Sequence, residues 1–368
     1  MRREGDAAMP NTLYRRAPLG VLARLRSGEN TSGDSFSKDD SLPTPVYGAN
    51  GVIGSTSLEP NIQRESILIG RVGACGEINV APPSSFASDN VLVVDLNEQA
   101  HRGWMYYVLL SSKLKDLNTS TAQPLITPSK IRQVRVPFPS MMDQQRIADY
   151  LDRETAKIDA AVADLDRYVE LLNVKLESTA REIFTTLSEE RQLIQTKFLV
   201  DITTGSGDTQ DAQEDGEYPF YVRSDTIQRS GDYEFDCDAV LTSGDGAGVG
   251  KIFHLASGKF KAHQRVYVMH NFRRISPEYF YWMFKSAFPD VIRYGGAKST
   301  VDSVRMPMIA NLKLPVPDNS TQEEISGRLA NLHEEVGSLI SESTKLRDLL
   351  LKRRSVLITE VVTGRKQV

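Results

Sequence analysis

Ile131-Arg-Gln-Val-Arg-Val-Pro-Phe-Pro139 leads into Gln144-Gln-Arg-Ile-Ala-Asp-Tyr-Leu151, and Ile309-Ala-Asn-Leu-Lys-Leu-Pro-Val-Pro317 leads into Gln322-Glu-Glu-Ile325. The two stretches lie 178 residues apart and match at Ile131/Ile309, Val134/Leu312, Val136/Leu314, Pro137/Pro315, Pro139/Pro317, Gln144/Gln322, Ile147/Ile325 and Leu151/Leu329. The only tryptophans, Trp104 and Trp282, keep the same separation. Further upstream an offset of 174 pairs Pro45 with Pro219, Tyr47 with Tyr221, Ile53 with Ile227, Gly76 with Gly250, Ile78 with Ile252 and Phe86 with Phe260. A four-residue insertion before Trp282 reconciles the two offsets. So many matches in order read as a tandem duplication. The period is too long for a solenoid repeat and suits one domain plus a helix.

Each copy has two parts. Residues 12–140 and about 190–318 carry short β-rich runs punctuated by Gly, Pro and Asn. Strands are expected at Ser66–Gly70 and 90–95, with counterparts at 239–242 and 265–269, and helices at 104–117 and 277–288. A long helix follows. Leu151, Ile158, Leu165 and Leu172 fall seven apart, with Val162, Val169, Leu176 and Ile183 as a second row of an a/d seam. The later copy places Leu329, Val336, Leu350 and Leu357 in one row and Leu332, Leu339 and Leu346 in the other. Ser320 with Glu323 offers a capping box, and Gly364 a stop. A helix of roughly 40 residues spans about 60 Å, too long a stripe for one small domain to cover. The two helices are therefore expected to pair with each other, antiparallel about a pseudo-two-fold axis. The alternative is that each packs along its own globular domain. The fold class is α+β: two similar mixed α/β domains joined by two long antiparallel helices in a coiled coil.

A chain of 368 residues with 40% apolar and 25% charged side chains is expected to be soluble and multidomain. No apolar run approaches the roughly 18 residues needed to cross a bilayer, and Met1–Pro10 has no apolar core of a secretory signal. Two cysteines, Cys75 and Cys237, are too few for a disulfide framework or a thiolate zinc site. A reduced, cytoplasmic protein with no membrane partner is expected. The net charge of −4 argues against a protein that coats nucleic acid by bulk electrostatics.

The charge is unevenly spread. Residues 251–313 hold 11 Lys and Arg against Glu278, Asp290 and Asp302, and the stretch before them is acidic. Lys251, Lys259, Lys261, Arg265, Arg273, Arg274, Arg293, Lys298 and Arg305 are interleaved with aromatic residues. That mixture neutralises phosphates and presents guanidinium forks to guanine edges; the plainer reading is a solvated basic face. The first copy is only mildly basic. Its candidates are Arg71, Lys113 and Lys115, with Asn90 and Gln123 as adenine readers.

Chemistry is not supported. Gly244-Asp-Gly-Ala-Gly-Val-Gly250 is followed by a strand-like run, whereas a phosphate-cradling loop should open a helix. A tight strand-to-strand turn is the better reading, as for Gly70-Arg-Val-Gly73-Ala-Cys-Gly76 in the first copy. His254, His263 and His270 lack partners at zinc-ligand spacing, so no metal site is expected. There is neither a nuclease carboxylate–lysine pattern nor the Asn/Asp-Pro-Pro-Tyr/Phe of an amino-methyltransferase.

The apolar-Pro-x-Pro runs at 136–139 and 314–317, each followed by Gln144-Gln145 or Gln322-Glu323 and then Ile147 or Ile325, resemble the specificity subunits of type I restriction–modification systems. Ile67-Leu-Ile-Gly-Arg-Val-Gly73 and Phe86-Ala-Ser-Asp-Asn90 are similar to the family's recognition-domain core, while Ser243-Gly-Asp and Ala262-His-Gln depart from it. The resemblance covers nearly the whole chain. It implies recognition domains at 1–141 and 188–318 and spacer helices at 142–187 and 319–364. It further implies a non-catalytic DNA-specificity subunit that binds a bipartite double-stranded DNA target and docks two methyltransferase subunits on its helices. A restriction/translocase subunit is an optional further partner. S-adenosylmethionine, and ATP with Mg for restriction, would sit on those partners, with no cofactor on this chain. The helix-pair residues expected are Leu151, Ile158, Val162, Leu165, Leu172, Leu176, Leu329, Leu332, Val336, Leu339, Leu346 and Leu350. The rival reading is a structural adaptor whose helices bind protein partners.

Overall fold

The computed structural model describes residues 14–31, 35–118, 125–295 and 303–368. The chain divides into two compact units, residues 1–165 with 345–368, and residues 166–344. Gln123 and Lys298 lie outside the described residues.

The first unit contains β1 (Arg16–Pro18), α1 (Leu19–Leu22), β2 (Ala23–Ser27), β3 (Phe36–Ser37), β4 (Thr44–Gly48), β5 (Gly51–Thr56), β6 (Ser66–Gly70), β7 (Ile78–Ala81), β8 (Phe86–Ala87), β9 (Val91–Leu96), α2 (Arg102–Ser111), α3 (Pro128–Gln133) and β10 (Arg135–Pro137). The long helix α4 (Met141–Glu190) follows. The second unit contains β11 (Leu193–Gln195), β12 (Asp201–Thr204), β13 (Tyr218–Tyr221), β14 (Gln228–Ser230), β15 (Phe235–Asp236), β16 (Ala239–Ser243), β17 (Phe253–Ala256), β18 (Lys259–Ala262), β19 (Val266–His270), α5 (Pro277–Gly295), α6 (Met306–Ala310) and β20 (Lys313–Pro315), before the long helix α7 (Asn319–Val362).

Both units follow one plan. The central sheet has the order β2-β9-β6-β7 in the first and β12-β19-β16-β17 in the second, all antiparallel. The companion sheets, β3-β5-β4-β8 and β14-β13-β18-β15, each contain one parallel pair, β4 with β8 and β13 with β18. The apolar runs in β6 and β9 arise because both faces of the central sheet are buried and successive side chains alternate between them. Ile67, Ile69, Leu92 and Val94 pack with Trp104, Met105 and Val108 of α2. Leu68, Val91 and Val93 face the other way, onto Ile62 and Ala87. Val240 and Met269 against Phe280 and Met283, with Leu241 and Val268 on the opposite face, repeat the scheme.

The strand registers correct the upstream alignment. Val46 pairs with Phe86 where Phe220 pairs with Lys261, so the counterpart of Phe86 is Lys261 and not Phe260. Ile69 opposite Ile78 corresponds to Thr242 opposite Phe253, which displaces the Ile78/Ile252 match as well. The tryptophans are not counterparts either. His101 accepts from Trp104 N and Ser276 Oγ accepts from Tyr279 N, so Trp104 matches Tyr279, both fully buried. Tyr107 then matches Trp282, and their neighbours Thr155 and His333 lie 178 residues apart. The offset is thus 175 at this helix, and the insertion follows the tryptophans' helices instead of preceding Trp282. A three-residue slip leaves a helix's apolar face nearly in phase, which is why residue type alone misplaces it.

A buried glutamine opens each long helix. Gln144 accepts from His101 N (2.8 Å) and donates to Gln99 O (3.0 Å) and Pro139 O (3.2 Å). Gln322 accepts from Ser276 N (2.8 Å) and donates to Arg274 O (3.0 Å) and Pro317 O (2.9 Å). The side-chain amide uses both its donor and its acceptor end to tie the helix start to the Pro-x-Pro strand and to the loop before α2 or α5. Ser140 Oγ accepts from Asp143 N (3.2 Å) at the start of α4. At α7 the cap is Asp318, which accepts from Thr321 N (3.0 Å), and not the expected Ser320, whose hydroxyl donates to Asp318 instead. Hydrogen bonds from Ser320 and Thr321 hold the Asp318 carboxyl well below the usual carboxylate range.

Within each unit the two long helices run antiparallel. In the first, Asp159 accepts two bonds from Arg354 (2.8 and 3.1 Å) while Tyr150 lies under Lys366. Ile358, Val361 and Val362 join Ile147, Ala148 and Leu151 in the core. In the second, Leu329 packs into the core with Ala180 and Leu187. Leu151, Ile158, Leu172, Leu329 and Val336 are buried, and Val162, Leu165, Leu176, Leu332, Leu339 and Leu350 are half-buried. Leu346 is 49% exposed and does not belong to the seam. Beyond buried Ser343 the less exposed positions are Arg347, Leu350, Arg354, Leu357 and Ile358, so the first row keeps its spacing of seven while the second shifts by one, from Leu346 to Arg347. Among the described residues no helix is long and apolar enough to cross a membrane.

Gln322→Leu should cost about 1–3 kcal/mol of stability, since it strands a buried amide and two carbonyls. Gln322→Glu should be destabilised at neutral pH, where a carboxylate would face two carbonyl oxygens, and should recover part of the loss in acid. Urea unfolding of both variants at two pH values checks this, and unchanged midpoints would refute the role given to the amide.

Candidate nucleic-acid interface

One end of each central sheet carries the same set of loops. In the first unit Arg71 N donates to Asn90 O (2.9 Å), Ile126 N donates to Arg71 O (3.0 Å), and Val72 bridges to Leu125. In the second, Gly244 N donates to Arg265 O (2.8 Å), Val304 N donates to Gly244 O (2.8 Å), and Asp245 bridges to Ser303. These bonds make Arg71/Gly244, Val72/Asp245 and Asn90/Arg265 counterparts. Gly28 and Gly205 end β2 and β12 beside them. A Cβ there would lie 2.1 Å from Ser88 O or 2.0 Å from Ala262 O, so only glycine permits the approach.

The backbone is shared and the side chains are not. In the first unit the Arg71 guanidinium reaches Ser27 Oγ (3.4 Å), and its buried Nε has no hydrogen-bond partner among the described residues. Asn90 is exposed. In the second unit Asp245 accepts from Arg223 (2.8 Å) and Arg265 (2.5 Å), one guanidinium on each carboxylate oxygen. Burial pushes the Asp245 carboxyl up, but the bonds and charges of the two arginines outweigh it and hold it below its ordinary value. His263 is buried and its Nδ1 accepts from Arg265 N (3.0 Å), which leaves the proton on Nε2, 3.8 Å from Asp208. The cluster holds two guanidiniums on the one Asp245 carboxylate at a loop rim, with the Asp208 carboxylate beside His263.

The other expected contacts divide into groups. Arg305 is exposed two residues beyond Ser303 and stands on the same rim. Lys113 and Lys115 follow α2, where Gly76 abuts the backbone of Lys115, and Lys115 pairs with Glu77 (2.5 Å). Lys251 and Arg293 line an open cleft of about 420 Å³ with Arg181, Lys285, Trp282 and His333, and Arg293 and Arg181 both approach Asp290. Contrary to its expected place at DNA, the Lys261 ammonium is held by Asp232 (2.8 Å) and Asp211 (3.2 Å), with the lysine side chain 12% exposed, so it is taken up in ion pairs within the unit. Lys259 lies over the Tyr233 ring at the far end of β18. Arg273, paired with Asp201 (2.7 Å), and Arg274 follow the opposite end of β19 from Arg265 and are not brought to the rim.

The sequence matches the type I restriction modification DNA specificity domain family over residues 28–162 and 195–343. The chain belongs to this family. It is 28% identical over 166 residues, 45% of its length, to the EcoDI specificity subunit of a type I restriction enzyme of Escherichia coli, and 28% identical over 142 residues to the EcoprrI specificity subunit of the same organism. Those alignments span 36% and 35% of the two relatives' lengths. A chain solved in a study of complex assembly and conformational transition of the type I R-M system shares the fold, with TM-score 0.71 at 14% identity over 98% of this chain and 100% of that one. The HsdS subunit of Thermoanaerobacter tengcongensis aligns with TM-score 0.51 at 14% identity over 99% and 100% of the two chains.

For a member of this family, two residues of the rim escape sequence reading. Arg223 precedes the basic stretch, but it lies two positions after Tyr221, the match of Tyr47, and so takes the place of Ala49. His263 looks like a failed metal ligand until its bond to the Arg265 amide is seen.

Burial, then the charge of Arg223, lowers the pKa of His263; Arg265 adds to this, while Asp208 and Asp245 oppose it. Burial likewise lowers His254 and His333, with Lys285 adding to both and the Ser224 carbonyl and Asp225 opposing at His254. All three take up a proton more readily unfolded, at about pH 6.5. Their contribution is therefore complete above that value and is lost as pH falls below it, towards the lower folded pKa. The urea midpoint should drop between about pH 7.5 and 5.5, and His263→Asn should flatten the drop. Equal slopes for the two proteins would contradict the assignment.

Proposed function

We propose that this chain is the DNA-specificity subunit of a type I restriction–modification complex. It reads a bipartite double-stranded target, one half-site per unit, and docks two methyltransferase subunits on its long helices. The observation that carries the reading is the contrast within the duplication. Sheet order, buried glutamines and rim hydrogen bonds recur, while the rim side chains change from Arg71, Val72 and Asn90 to Gly244, Asp245 and Arg265. A binder of two different short sequences needs that combination, because phosphate geometry is the same at both half-sites and base edges are not.

Docking on the helices is supported by apolar residues turned away from the seam. Tyr168, Leu171 and Val174 of α4, and Leu346, Leu349 and Val356 of α7, are between 43% and 62% exposed. Exposed apolar stripes of this kind mark protein contacts. The chain itself is non-catalytic in this reading: S-adenosylmethionine belongs to the methyltransferase partners, and ATP with Mg to a restriction subunit where one is present. Lone-chain affinity for DNA is then weak and rises on assembly, in keeping with the net charge of −4.

Co-expression with its modification subunits in cells lacking other methylation, followed by sequencing of modified bases, should give a motif of two short parts. Replacing residues 1–140 by another recognition domain should rewrite one part and leave the other intact. A motif untouched by the exchange, or capture of proteins but no DNA methylation, would favour an adaptor instead.

A further inference from the structure

Asn90 and Arg265 stand at one and the same place in the two units. Each gives its carbonyl to the amide of the turn that follows the neighbouring strand, Arg71 N or Gly244 N. Each immediately precedes a strand in the same register, Val91 opposite Gly70 and Val266 opposite Ser243. Each follows by two residues a buried one, Ser88 or His263, whose amide donates to Tyr47 O (3.0 Å) or Tyr221 O (2.9 Å). The backbone is held alike and both side chains are exposed, so the difference between them is a difference in what each unit can recognise.

Arg265 is held at three points. Its amide donates to His263 Nδ1, its carbonyl accepts from Gly244, and its guanidinium bonds Asp245 while 61% of the side chain stays open to solvent. Asp245 is itself fixed by Arg223 and only 18% exposed. A carboxylate in this position weakens attraction to a phosphate, because it cancels one of two positive charges. What it supplies is direction, a guanidinium tethered through its Nη1 and left with its other N–H groups free to face a base. Among the described residues the first unit has no such clamp: Val72 replaces Asp245, and Ala49 replaces Arg223. An amide side chain stands there instead, beside Arg71. Planar forks suit the O6 and N7 acceptors of guanine, and a carboxamide suits N6 and N7 of adenine.

We propose that this shared position determines base specificity in each unit: Arg265, oriented by Asp245, reads a guanine of one half-site, and Asn90 reads an adenine of the other. Asp245 is a positioning residue. The proposal rests on the DNA-specificity reading above and adds to it the identity of the bases and of the residues that read them.

The test uses the full chain with its modification subunits and sequences methylated bases across a genome, with the domain exchange assigning each half-site to its unit. Arg265→Gln should lower discrimination at a single guanine position of the second unit's half-site, by roughly 5- to 150-fold, and leave the first half-site unchanged. Asp245→Asn should weaken discrimination at that same position while other positions hold. Asn90→Arg should alter one adenine position in the first half-site only. A motif unmoved by Arg265→Gln, or methylation lowered evenly over all sequences as for a phosphate contact, would overturn the assignment while the unsubstituted chain still gives its bipartite motif. Failure of the unsubstituted chain to direct any motif would overturn the functional reading itself, and this inference with it.

Discussion

A helix of fifty residues with an apolar stripe along its length must find a partner of comparable length, and here each long helix finds the other. The consequence reaches into both cores. The first unit is closed by Ile358, Val361 and Val362 from the last turns of the chain, packed on Ile147, Ala148 and Leu151. The second takes Ala180 and Leu187 from α4 beside Leu329 from α7. Burial of one such aliphatic side chain contributes roughly 1.5–3 kcal/mol, so neither copy of the duplication is complete by itself, although the second unit is one continuous stretch from residue 166 to 344. The duplication is therefore one folding arrangement in which each copy finishes the other.

That constraint separates the parts of the chain that must stay alike from those free to differ. The apolar-Pro-x-Pro strands, the glutamine at the head of each long helix and the order of the central sheets are the same on both sides. All lie where helix, sheet and connecting loop meet, and a change there would disturb packing. At the opposite ends of β9 and β19 the loops meet through backbone hydrogen bonds that tolerate any side chain, apart from the two glycines at the strand ends. Sequence recognition can then change there at small cost to the fold. Under the proposed function, the net charge of −4 fits a chain that selects bases while its partners supply much of the grip on phosphate.

The repeat, the α+β character and the long helices were legible because they rest on periodicity and on matched Pro, Gln and apolar positions. Register was less legible. Trp104 and Trp282 attract each other in an alignment, yet Trp104 shares its place with Tyr279, since three residues are nearly a helical turn and either pairing keeps the buried face. Leu346 follows a strict heptad and still lies outside the seam, because the less exposed place in its row passes to Arg347 while the other row keeps its seven-residue spacing. The basic stretch was visible, but not the sorting within it. Lys261 and Arg273 are spoken for by Asp211, Asp232 and Asp201, all distant in sequence. Arg223 was hidden among acidic residues, and its role depends on Asp245, which reads in sequence as part of a glycine-rich turn.

Under the proposed function, two separate units each read their own bases. Randomising every base pair of the target and measuring methylation by the assembled complex tests it most directly. Two short runs of positions where substitution abolishes modification are expected, separated by a gap of fixed length in which every base is accepted. One uninterrupted run of required bases, or no required bases at all, would contradict it.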